Sequence, residues 1–78
     1  MAEKTSNIEV LEVLKDEQKR PVKVIFRLFA ALDVTVVRAA NRKVKIISRT
    51  NYHGGSTYIQ PDYFKAIIRQ AYAILYAK

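Results

Sequence analysis

The stretch VTVVRAANRKVKIISR, residues 34–49, decides the fold, because it holds two segments of strand-like residues on either side of one turn. In its second half Val44, Ile46 and Ser48 alternate with Lys43, Lys45, Ile47 and Arg49, a period of two that predicts a strand with one basic face. The first half, Val34 to Arg38, is rich in β-branched residues and predicts its neighbour. Ala40, Asn41 and Arg42 are left to close a hairpin, and of these Asn41 best tolerates a positive φ.

Downstream, the chain's two glycines stand side by side at Gly54 and Gly55 and mark a loop. Beyond it the period lengthens to that of a helix. Phe64, Ile67, Ile68, Ala71 and Leu75 form one apolar stripe, predicting a helix from about Pro61 to near the end. Proline suits a first helical position because its missing N–H has no partner there, and Asp62 complements the positive end of the helix dipole. Lys65, Arg69, Tyr72 and Tyr76 form a basic and aromatic strip on the flank of that stripe, read as a snorkelling rim in preference to a contact surface.

Upstream, Val22, Val24, Phe26 and Leu28 alternate with Lys23, Ile25, Arg27 and Phe29, which favours a strand from about Val22 to Phe29 over a helix across Phe26 to Ala31. Ser6 and Glu9 have capping-box spacing, and Pro21 would stop a helix, so Ile8 to Lys19 has a helical reading. Yet Ile8, Val10, Leu11, Val13 and Leu14 form no single stripe, and a strand from Ile8 to Leu14 turning through Asp16 to Arg20 is preferred. Glu9 and Glu12 would then face Lys23 and Arg27 across the pair. The expected fold is α+β, a small antiparallel sheet of three to four strands in a meander, packed by one C-terminal helix. Seventy-eight residues allow one basic domain, 1–78, with residues 1–6 expected to be disordered. Half the residues are hydrophobic, enough for a packed core.

Charge is the clearest functional signal. Lys and Arg number 14 against 7 Asp and Glu, and the distribution is uneven: residues 1–17 carry −3, the remainder +10, and residues 19–49 alone +8. Cations this dense repel one another, which suggests a polyanionic partner. The expected function is a non-enzymatic nucleic-acid-binding domain, of a regulatory kind, contacting DNA or RNA phosphates through Lys23, Arg27, Arg38, Arg42, Lys43, Lys45 and Arg49. Lys23, Arg27, Lys43, Lys45 and Arg49 would share one sheet face with Ile25, Phe29 and Ile47. The loop Tyr52, His53, Gly54, Gly55, Ser56 and Thr57, with Tyr58, supplies a second tier, from backbone N–H groups, hydroxyls and stacking rings. The alternative is a small protein-interaction module, an inhibitor or adaptor whose positive face meets an acidic protein. Open edge strands and apolar residues on the second face make a homodimer a natural consequence.

Other classes are disfavoured. Zero cysteines remove disulfides, thiolate metal sites and thiol catalysis, and fit a reducing, cytoplasmic setting. No run approaches the roughly 18–20 apolar residues of a membrane span, and the polar, acidic start is unlike a secretory signal. His53 is a lone histidine without a spaced carboxylate, nucleophile or second ligand, so neither catalysis nor a metal or other cofactor is expected. The glycine loop lacks the lysine and spacing of a phosphate-binding loop. Phe26 and Phe29 fall on opposite faces, which removes the paired aromatics of an RNA-recognition sheet.

Overall fold

The β-branched run and the basic alternating run do pair as a hairpin. A computed structural model describes residues 7–76 and shows β3 (Leu32–Ala39) antiparallel to β4 (Lys43–Asn51). β1 (Ile8–Lys15) and β2 (Pro21–Leu28) precede them, so the sheet is a four-stranded antiparallel meander in the order β1-β2-β3-β4. The helix α1 (Pro61–Leu75) crosses one face. The α+β meander expected from the alternation patterns is thus the observed fold. Residues 8–15 are strand and 26–28 belong to β2, so the helical readings of both stretches are excluded. The expectation about residues 1–6 lies outside the described residues.

Under the helix, alternate residues of the two central strands make the core: Val24, Phe26 and Leu28 from β2 with Leu32, Val34 and Val36 from β3. Ile67, Ala71 and Leu75 meet them from α1, and Ile59 seals one end. The expected helix stripe needs one correction. Phe64 is 40% exposed, and Tyr63 and Ile74 pack against the core in company with the buried residues. Four-residue steps through 63, 67, 71 and 75 set the contact line, leaving Phe64 on the outer side with Lys65, Ile68 and Arg69.

Three register shifts interrupt the sheet, one of them between Leu14 and Lys15 at the end of β1, and the other two decide which side chains reach which face along most of β1 and β4. In β4, Ile46 opposes Val36 and Ser48 opposes Thr35, so Ile47 is an extra, unpaired residue. The bulge reverses the alternation beyond it. In β1 a similar shift between Val10 and Glu12 leaves Leu11 unpaired and sets Glu12 opposite Ile25. Glu9 does oppose Arg27, but Glu12 does not oppose Lys23, whose partner is Leu14.

Both chain glycines sit in the loop after β4, so the strand connections bend through other residues. Lys19, Phe29, Ala30, Asn41 and Arg42 all have positive φ, between 54° and 66°. An L-residue in the left-handed region costs roughly 1–2 kcal/mol, less for asparagine, whose short side chain bonds locally. Asn41 was the residue expected to bend this way; its neighbour Arg42, at 58°, was not.

Candidate nucleic-acid interface

The seven basic residues singled out in the sequence fall into four groups, one of them Arg42 alone in the β3–β4 turn. Lys23, Lys43 and Lys45 lie on the open face, opposite Val37, Ala39 and Val37 respectively. Arg27 is on that face too, but it is occupied. Its Nε donates to Asp33 Oδ1 at 2.7 Å and its second nitrogen to Asp33 Oδ2 at 3.1 Å, a two-pronged pair across β2 and β3. The Tyr52 hydroxyl donates to the same carboxylate at 2.9 Å, and the guanidinium lies over the Tyr52 ring, 5.3 Å from its centre. The guanidinium holds the Asp33 carboxyl below its ordinary range against the opposing effect of burial, and the tyrosine hydroxyl adds to this. Asp33 raises the Arg27 pKa in return.

Arg38 and Arg49 are on the helix side. Arg38 continues the alternation of Val34 and Val36, and Arg49 opposes Val34 because the Ile47 bulge has turned it over. The expected five-residue basic face is therefore corrected to Lys23, Lys43 and Lys45, with Arg27 neutralised. Phe29 is likewise in the β2–β3 turn, outside the strand that was to present it. Simple alternation carried through an unseen bulge accounts for the Arg49 error.

What the sequence did not show is that eight of the cations collect at one end of the sheet. β1 ends, β2 begins, β3 ends and β4 begins at that end, so Lys15, Lys19, Arg20, Lys23, Arg38, Arg42, Lys43 and Lys45 come together there. Among the described residues only Asp16 and Glu17 oppose them, and Asp16 is held by its own turn. Its carboxylate accepts the backbone N–H groups of Gln18 and Arg20 and the Arg20 side chain. These bonds, the Arg20 N–H foremost, lower its pKa. Glu9, Glu12, Asp33 and Asp62 lie toward the middle or the other end.

Tyr76 organises this end. Its hydroxyl donates to the Lys43 carbonyl at 2.8 Å, with the Ala39 carbonyl at 3.3 Å, pinning the end of α1 to the β3–β4 tip. The guanidiniums of Arg38 and Arg42 both lie over its ring, 4.9 and 5.1 Å from the centre. Arg38 Nε also donates to the Pro21 carbonyl at 2.9 Å. Among the described residues no carboxylate pairs with either arginine. Arg42 holds its place in a left-handed turn closed by the Lys43 N–H donating to the Ala40 carbonyl, where glycine would be unstrained. Tyr76 was expected in a rim strip with Lys65, Arg69 and Tyr72; in the fold its ring lies 5.9 Å from that of Tyr72 and packs at the edge of the core.

The glycine loop lies at the far end and is engaged in holding its own shape. Asn51 Oδ1 accepts the His53 N–H at 2.8 Å, the Asn51 carbonyl accepts the Gly54 N–H, and Asn51 Nδ2 donates to the Ser56 carbonyl. Ser56 Oγ accepts the Tyr58 N–H. Two of the N–H groups that were to face an anion are thus spoken for within the loop, and Tyr52, His53, Gly54, Gly55, Ser56 and Thr57 stand apart from the cationic end. Among the described residues there is no cluster of three metal-ligating side chains, and no helix is long and apolar enough to cross a membrane. Comparison with protein-family models, curated proteins and solved structures gives no match.

Proposed function

We propose that the domain binds nucleic acid without catalysis, gripping phosphates with the cationic end of the sheet, chiefly Arg38, Arg42, Lys43 and Lys45, flanked by Lys23. The observation that carries this reading is the pair of arginines over one tyrosine ring, with no carboxylate on them among the described residues and, at Arg42, a strained conformation. Residues that strain the backbone without improving the core are a mark of function. Arg27 and Arg49 have no part in this grip. In the same reading the setting is cytoplasmic, and the unpaired edges of β1 and β4 favour a homodimer, which sedimentation would read.

Electrophoretic shift with duplex DNA, single-stranded DNA and RNA at rising salt tests the proposal. Each phosphate neutralised on duplex DNA contributes about 0.9 to the slope of log affinity against log salt. Reversing Arg42, Lys43 and Lys45 together to glutamate removes about 2.7 of that slope, by the same rule, or abolishes binding. Arg27→Gln leaves it unchanged. Absence of binding to all three nucleic acids at low salt refutes the proposal and passes the cationic end to an acidic protein partner.

A further inference from the structure

The opposite end of the sheet holds a second candidate site, independent of the cations. A cavity of about 440 Å³ opens there, in the size range of small-molecule sites. Leu28, Leu32 and Ile59 close it against the core, and the rings of Phe29, Tyr58 and Tyr63 line its sides. No described residue lining it is acidic, basic or a histidine.

Strain is concentrated at its lip. Phe29 and Ala30 have φ of 54° and 57° in the turn between β2 and β3, closed by the Ala31 N–H donating to the Leu28 carbonyl at 3.0 Å. Asparagine followed by glycine would close the same turn without cost. Core packing does not explain the choice, because Phe29 is 55% exposed. Its ring makes one edge-to-face contact, with Tyr63 at 5.0 Å and 70°, and otherwise offers its surface to the cavity and solvent. Tyr58, 69% exposed, also lines the cavity. Its hydroxyl and the Gln60 side chain make no hydrogen bond to any described residue and are available to a ligand.

From these features we infer that the cavity binds a small uncharged aromatic compound, stacked among Phe29, Tyr58 and Tyr63, with a polar group at its margin meeting Tyr58 or Gln60. The left-handed turn is retained because it places Phe29 in the lining. An apolar, uncharged lining penalises an ionised ligand, whose lost hydration nothing in the site replaces.

Indole is the probe, titrated into the full chain and followed by amide NMR, with indole-3-acetate as the charged counterpart. The expected result is a saturable set of shifts confined to residues 28–32, 51 and 56–63, weaker for the acetate. Shifts that fail to saturate or that spread over the sheet overturn the site, and equal binding of the anion overturns the ligand class. The double variant Phe29→Asn, Ala30→Gly is expected to melt at a higher temperature and to bind indole about tenfold more weakly, a difference of about 1.4 kcal/mol. Undiminished binding in that variant overturns the role of Phe29, and a lower melting temperature overturns the strain account. Tyr58→Ala, at an exposed position, is expected to weaken indole with the melting temperature unchanged; unaltered affinity removes that part of the site.

Discussion

Replacing Arg42 by alanine and, separately, by glycine separates the strain at the β3–β4 tip from the chemistry of its side chain. Both variants lose the guanidinium over Tyr76, an interaction of about 0.5–1 kcal/mol at an exposed site. Alanine keeps the left-handed strain at a φ of 58°, whereas glycine removes about 1–2 kcal/mol of it. Against this, glycine loosens the unfolded chain by about 0.4–1 kcal/mol. The alanine variant is therefore expected to be about 0.5–1 kcal/mol less stable than the parent, and the glycine variant close to it. At about 4–8 °C per kcal/mol for a domain of this size, the gap between the two variants is about 2–8 °C in melting temperature. Thermal melts and urea titrations at one pH measure it. An alanine variant as stable as the glycine variant refutes the strain reasoning. Both should lose nucleic-acid affinity equally, with the duplex salt slope reduced by about 0.9 for one phosphate contact; affinity that follows stability and ignores the missing guanidinium refutes the placement of the site.

Two further outcomes are expected. Asp33→Asn destabilises the fold at neutral pH by releasing Arg27 and weakening the Tyr52 bond. Because the folded pKa of Asp33 is depressed, its contribution is complete above the ordinary carboxylate value of about 3.9 and fades as pH falls through the lower folded value, so parent and variant urea midpoints converge in acid below that folded value. A gap that persists undiminished in acid would show that the carboxylate charge is not its source. Tyr76→Phe keeps the ring under both arginines but removes the bond to the Lys43 carbonyl, costing about 1 kcal/mol in urea titration with the salt slope intact; a changed slope would mean that the hydroxyl itself touches the nucleic acid.

The period-two runs in residues 22–28 and 34–46 and the helical spacing after Pro61 made the architecture readable, since burial of one face imposes these patterns directly. The first strand was the weakest reading because its bulge at Leu11 breaks the alternation. The site was less legible for two reasons. A bulge inserts one residue without any compositional mark, so Ile47 concealed the side to which Arg49 turns. Pairing is a matter of register: nothing local to Arg27 shows that Asp33 stands directly across from it, or that Tyr52 covers both. The gathering of cations at one end follows only once the strand ends are brought level, and Tyr76 joins them because the helix length carries it to the same end.

Ile47 sets the parity of everything after it in β4. Excising that one residue would leave every later side chain on its present face, whereas pairing Ile47 with Thr35 in a straightened strand would carry Ser48 and Thr50 beneath the helix and send Arg49 and Asn51 outward. Asn51 could then no longer brace the following loop through His53 and Ser56. A frameshift in side-chain direction, with no change in sequence at all, would thus build the broad basic face that a straight strand implies, and would undo the far end of the domain in doing so.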